Sequence, residues 1–368
     1  MREYLYNLAT DRKRGFLSGI FKVLLFVLSL IYGLIVVILI FINKLKSQRL
    51  NVKVISVGNI TLGGTGKTSL VEFIARYLKD QGHNVAILSR GYKRKVTRSL
   101  PRLRSGLPSV AGHQVTSIET MGDEAYMLFR NLVDVPVVVE VDRIKAAVRA
   151  AKDFSADTVI LDDGLQQWKI KKDLEIVTID ATNPLGNRHL LPRGILREPL
   201  SGLRRADMFV LTKTNLEPAT KEIKDFLNRI NPRAVIIESM HQPMGFYNVE
   251  RPGELYGAEV LKGKTVTLFS GIGGPDAFEN LITSLDIKVG LSFRFPDHHN
   301  YTEKDLEKII SRSRDKNIDT VITTEKDAVR ILGLGVGDRG FSFFYLCIAM
   351  AIKDEKRFYN RLLQLYPL

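Results

Sequence analysis

From Asn51 onward, short apolar runs alternate with stretches whose apolar residues recur every three to four positions. Val52–Val57, Val85–Leu88, Val135–Val141, Thr158–Leu161, Leu174–Ile179, Met208–Leu211 and Ala234–Glu238 read as buried strands. Ser69–Lys79, Glu124–Leu132, Arg143–Asp153 and Thr220–Ile230 lie between them with helical spacing. Such alternation predicts an α/β fold: a mostly parallel sheet covered on both faces, with ligands at the carboxyl ends of its strands. The pattern lapses over His241–Gly257, which holds Pro and Gly without a helical period, so residues 241–262 are expected to form an interdomain linker. It then restarts with strands at Thr265–Phe269, Thr320–Thr323 and Ser342–Ala349, and with helices from Asp276 and over Thr302–Ser311. The expected division is an N-terminal anchor (1–50), a phosphate-loop domain (51–240), the linker, and a smaller α/β domain (263–368).

The anchor follows from one run. Val23 to Ile42 is interrupted only by Ser29, Tyr32 and Gly33, none of them charged. At helical rise it measures about 30 Å, one hydrocarbon thickness. The run exceeds a signal-peptide core, and Asn43-Lys44-Leu45-Lys46 offers no small-residue cleavage site. Basic residues flank both ends: Arg12, Lys13, Arg14 and Lys22 before it, Lys44, Lys46, Arg49 and Lys53 after it. The charge rule for orientation therefore does not choose, and a spanning helix and an interfacial one both fit.

The first strand carries chemistry at its end. Val57-Gly58-Asn59-Ile60-Thr61-Leu62-Gly63-Gly64-Thr65-Gly66-Lys67-Thr68 lies between a β-branched run and a helical one. A strand, a glycine-rich turn and a helix place bare N–H groups and a positive helix end around a polyphosphate. Gly63, Gly64, Thr65 and Gly66 would wrap the phosphates, Lys67 reach the β- and γ-groups, and the Thr68 hydroxyl hold Mg²⁺. Thr61 stands where the strict GxxxxGK[ST] pattern has its first glycine, and Gly63 and Gly64 supply the missing backbone freedom. A glycine turn carrying GKT by chance is the alternative.

Composition narrows the partner. The net charge of +14 points to an acidic one: nucleotide, nucleic acid or anionic membrane. The single Cys347 excludes an intrachain disulfide framework, and the scattered histidines give no zinc pattern. Nothing in the chain carries a nucleic-acid-binding signature.

Further candidates sit at other strand and helix ends. Thr158–Leu161 runs into Asp162-Asp163-Gly164, paired acids that repel unless a cation or donors compensate. Asp123 and Glu124 open a helix, where a capping acid is the plainer reading of Asp123. His298 lies in Phe295-Pro296-Asp297-His298-His299, which also suits solvated surface. Arg193, Arg197, Arg204 and Arg205 cluster where anion contact and a solvated face are equal readings. A second glycine turn, Ser270-Gly271-Ile272-Gly273-Gly274-Pro275, lacks GK[ST] and is not expected to bind nucleotide. Lys93–Arg104 is a basic loop suited to an anionic lipid surface.

The phrases GNITLGGTGKT, SRGY, GDE, LDDGLQ, DLEIVTID, LLPRGILREPL, RRAD, FPDHH and TTEKDAVR occur in that order. Together they resemble the tetraacyldisaccharide 4′-kinase family, the lipid A 4′-kinases of Gram-negative bacteria, from about Asn51 to the C-terminus. The resemblance implies a P-loop NTPase-type domain, a smaller C-terminal α/β domain and an N-terminal membrane anchor. It implies transfer of the ATP γ-phosphoryl group to the 4′-hydroxyl of an acylated glucosamine disaccharide 1-phosphate at the cytoplasmic face of the bacterial inner membrane. By the matching motifs, Lys67 and Thr68 serve the phosphates and Mg²⁺, and Glu124, Asp162 and Asp163 the metal shell. Asp123 would orient His298 as the base for the sugar hydroxyl. Arg143 and Arg197 would steady phosphates, with Gln166 nearby. The chain departs from the family pattern at Gln167, Ala125 and Lys93, where His, Pro and Gly are usual.

Three other readings compete. One is a tethered regulatory NTPase, since Leu211-Thr212-Lys213-Thr214-Asn215 resembles a guanine-reading motif without its final aspartate. The others are a nucleic-acid module and a kinase for another membrane alcohol. The ordered set of phrases argues against all three.

Overall fold

The computed structural model describes residues 11, 15–91, 121–217, 219–251, 253–332, 334–335 and 340–366. Tyr92 and the basic loop Lys93–Arg104 lie outside them.

Nine helices and twelve strands lie within the described residues. The strands are β1 (Lys53–Gly58), β2 (Val85–Ser89), β3 (Val137–Val139), β4 (Thr158–Asp162), β5 (Leu174–Asp180), β6 (Met208–Thr212), β7 (Val235–Asn248), β8 (Leu255–Tyr256), β9 (Thr265–Ser270), β10 (Lys288–Arg294), β11 (Thr320–Thr324) and β12 (Ser342–Ile352). The helices are α1 (Phe16–Leu45), α2 (Lys67–Asp80), α3 (Asp123–Asn131), α4 (Arg143–Phe154), α5 (Lys221–Ile230), α6 (Pro275–Thr283), α7 (Glu303–Arg314), α8 (Glu325–Ile331) and α9 (Glu355–Leu363). All strands join one sheet in the order β10-β9-β11-β12-β7-β6-β5-β1-β4-β2-β3, with β8 on β7.

Pairing is parallel except where β7 meets β12 and β8. That exception builds the site. Val235–Glu238 of β7 pair with β6, and Ser239–Asn248 pair with β12 running the other way. The first five residues of β12 carry β11. The strands of the C-terminal half therefore point back toward the N-terminal half, and the carboxyl ends of β9 and β11 face those of β1 and β4.

Within residues 241–262, expected as an interdomain linker, His241–Asn248 continue β7 and Leu255–Tyr256 form β8. Pro243 is tolerated there at a register shift, where the ladder is already broken. Residues 263–368 also pack on the N-terminal half. Met350, Ile352, Phe358, Leu362 and Leu365 are buried in one core with Leu70, Ile74 and Leu78 of α2. Stacking of Tyr77 on Tyr359, with ring centroids 3.9 Å apart, extends that contact.

Helix α1 is long and apolar enough to cross a membrane. One narrow stripe of it is covered by protein. Ser29, Gly33 and Val36 are buried at helical spacing, Tyr32 donates to the Arg197 carbonyl at 2.7 Å, and Phe26 meets His189 edge to face. Side chains such as Val23, Leu34 and Phe41 remain exposed.

Candidate active site

The first wall is the turn from β1 into α2. Gly63 and Gly66 sit at φ of 112° and 78°, a region that costs a side-chain-bearing residue strain. Gly64, expected to share that role, has no positive φ. The turn is pinned from below: Thr65 Oγ1 meets Thr178 Oγ1 at 2.7 Å, Thr212 donates to the Thr65 carbonyl, and Lys213 to that of Gly64. Thr68 is buried in the first turn of α2.

Lys67 Nζ donates to Asn59 Oδ1 at 3.0 Å and lies 3.7 Å from Asp163 Oδ1. Arg197 grips Asp163 with two bonds, 2.7 and 3.0 Å, and reaches Asn59 Oδ1 at 3.2 Å. Burial works against the Asp163 charge, but Lys67 and Arg197 overcome it and hold the carboxyl below its usual range. Asp163 has φ 59°, so the turn after β4 is left-handed at a non-glycine residue.

Asp162 differs. It ends β4 beside Val57 of β1 and is almost fully buried. Its Oδ2 accepts from Ser89 at 3.5 Å, and its Oδ1 has no hydrogen-bond partner among the described residues. Burial, then the charges of Glu124 and Asp163, push its pKa up against Lys67 and Arg143. A buried carboxylate with an orphaned oxygen is the donor a hard cation requires, and Mg²⁺ uses one or two such groups plus substrate phosphates. The residues present fit that ion.

Arg143 is buried at the start of α4 and donates to the Glu140 carbonyl, while its Nε has no partner among the described residues. Burial lowers its pKa to about 10 despite the opposing pull of Asp162. An orphaned guanidinium N–H beside the clamp suits an anion. Gln166 is spent behind the turn, donating to the Asn59 carbonyl and to Glu198.

The second wall joins the start of α3 to the C-terminal half. Asp123 opens α3, and its Oδ2 lies 2.8 Å from His298 Nδ1. His298, at φ 58°, is held in its loop by a bond from its N–H to the Gly271 carbonyl at 3.0 Å. Burial would raise the Asp123 pKa, but the His298 bond and the Arg330 charge and bonds hold it well below the carboxylate range. Glu124, expected on the metal, pairs with Lys326 Nζ at 2.7 Å. That lysine is the main cause of its lowered pKa, and Lys67 also contributes.

The structure thus brings Lys67 within electrostatic reach of Asp162, Asp163 and Glu124, with Arg197 on Asp163 and the Asp123–His298 pair beside Glu124. Sequence reasoning missed Asn59, Lys326, Asp327 and Arg330. Asn59 lies in the phosphate-loop stretch without a role of its own there, and the other three lie in TTEKDAVR, noted only as a family marker. Thr324-x-x-Asp327 directly after a strand is a helix-start signal that could have found α8.

A family model described as tetraacyldisaccharide-1-P 4′-kinase (LpxK) matches residues 21–366. The tetraacyldisaccharide 4′-kinase of Halothermothrix orenii is 38% identical over 343 residues, covering 90% of this chain and 88% of its own. That of Elusimicrobium minutum is 38% identical over 326 residues, covering 88% and 84%. The crystal structure of Aquifex aeolicus LpxK in complex with ATP superposes with a TM-score of 0.70 at 30% identity, covering 92% of this chain and 98% of that one.

Proposed function

The chain belongs to the tetraacyldisaccharide 4′-kinase family, and from that premise we propose how its own residues carry out the reaction. The protein is a lipid kinase of lipid A biosynthesis: it binds ATP and phosphorylates the 4′ position of a lipid disaccharide phosphate.

The turn Gly63–Thr68 receives the triphosphate, and Lys67 and Arg143 neutralise its charge. Arg197 releases part of its grip on Asp163 to meet phosphate oxygens. Asp162, Asp163 and the Thr68 hydroxyl would hold Mg²⁺, which supplies charge neutralisation at the β- and γ-phosphates when bound. Glu124, paired with Lys326, would be a further oxygen donor to that shell. Across from them, Asp123 accepts from His298 Nδ1 and leaves Nε2 as the basic nitrogen. Nε2 takes the proton of the 4′-hydroxyl as its oxygen bonds to the γ-phosphorus. The bond from that phosphorus to the β–γ bridging oxygen breaks, and ADP departs. The acyl chains stay in a bilayer while α1 keeps the cleft at its surface, on the cytoplasmic face where ATP is supplied.

One observation carries this reading: His298 Nδ1 sits 2.8 Å from Asp123 although 175 residues separate them. Purified protein with labelled ATP, Mg²⁺ and a detergent-dispersed disaccharide 1-phosphate should yield a bisphosphorylated lipid. General-base catalysis contributes roughly 10²–10⁴-fold, so His298→Gln should lower kcat by that order. Unchanged turnover in that variant would end the assigned role.

A further inference from the structure

Around the Asp123–His298 pair, a single guanidinium ties together four segments of the chain. Arg330 Nε and Nη2 donate to Asp123 Oδ2 at 3.0 and 2.5 Å, and Nη1 donates to Asp327 Oδ1 at 2.7 Å and to the Gly271 carbonyl at 3.0 Å. Nη2 also lies 3.1 Å from His298 Nδ1. The Arg330 side chain is 6% exposed and that of Asp327 0%. Asp327 is the base of the assembly, since its other oxygen accepts from the Gly271 N–H at 2.9 Å and from the Thr324 hydroxyl at 2.7 Å.

Gly271 gives the second glycine turn its use. Its carbonyl takes both the His298 N–H and Arg330, and its N–H is held by Asp327. A Cβ there would stand 2.9 Å from the Tyr301 hydroxyl and 3.2 Å from His299 Cβ. The turn thus fixes the backbone of the base-bearing loop, and Arg330 fixes the carboxylate to which the base is bonded.

We propose that Arg330 is a positioning residue for the phosphoryl transfer: spanning Asp123, Asp327 and Gly271, it fixes where the His298 ring stands and which nitrogen faces Asp123. The inference rests on the base role assigned to His298 above. Three acceptors in different directions need a planar fork of donors, which an ammonium cannot reproduce. The fork also aligns α8 and the loop after β10 with α3, so ring and carboxylate meet across the two halves. Held by the Arg330 fork, the Asp123 carboxylate faces Nδ1 and selects the tautomer that leaves Nε2 as the basic nitrogen. With Arg330 gone, Asp123 can rotate and the ring loses that selection.

The test is a double-mutant cycle on the full-length protein, with ATP binding measured in parallel as a control for folding. His298→Gln should lower kcat about 10²–10⁴-fold. Arg330→Gln should lower kcat at least about tenfold with KM for ATP within about twofold, and Arg330→Lys should not restore it. Because Arg330 acts through His298, adding Arg330→Gln to His298→Gln should change kcat by less than about twofold. Multiplying losses in the double variant, or full turnover in Arg330→Lys, would overturn the inference while leaving the base role intact. Full turnover in His298→Gln would remove the base role, and the inference with it.

Discussion

Two residues show how much of the chemistry rests on backbone and charge. Gly66 caps α2 at φ 78°, and a Cβ there would come 3.2 Å from Thr212 Cγ2. Gly66→Ala should cost about 1–3 kcal/mol of stability through backbone strain and raise KM for ATP; thermal unfolding and initial rates check both. Asp123 makes its contribution through a depressed pKa. Its folded value lies below its unfolded one, so the stabilisation is complete above the unfolded pKa and drains away as pH falls through the folded one. The gap in unfolding free energy between the wild type and Asp123→Asn should be flat above about pH 5 and shrink below about pH 4. A gap that widened on acidification would contradict the assigned pairing. The paired Asp162 and Asp163 illustrate a division no motif reveals: one is gripped by Arg197, the other keeps an orphaned oxygen.

At the scale of elements, strands with continuous apolar runs were legible because burial on both faces leaves few polar positions. β1, β4, β5 and β6 lie within a residue of their expected bounds. Strand β10 was not foreseen, since it is an edge strand whose side chains are mostly exposed, with no apolar run to read. Helix α8 has seven residues, too few for a period to emerge, yet it carries Lys326, Asp327 and Arg330. The extent of β7 was hidden by Pro243 and Gly245, which sit at an irregularity of the β7–β12 ladder. Helix α9 was missed because its partner lies across the chain on α2. Phe358 of α9 is fully buried there, so Phe358→Ala should cost about 3–5 kcal/mol and lower the unfolding temperature of the phosphate-loop half. A loss confined to the C-terminal half, read by hydrogen exchange, would contradict that placement.

For the whole molecule, the site residues were legible as types and in order, but not as a place. Lys67, Asp123, Asp162 and His298 converge because β7 and β12 pair in opposite directions, a long-range arrangement no local pattern encodes. One bond, from Tyr32 of α1 to the Arg197 carbonyl, ties the apolar helix to the loop whose N–H groups also meet Ile60 and whose side chain holds Asp163. Losing that bond in Tyr32→Phe removes about 1 kcal/mol, so it should raise KM for ATP by up to about fivefold even with the lipid acceptor saturating. An unchanged KM would show that the loop stands without α1. The apolar helix, long enough to cross a membrane, thus also bears on the nucleotide loop. Swapping one detergent for another around it should register as altered nucleotide affinity.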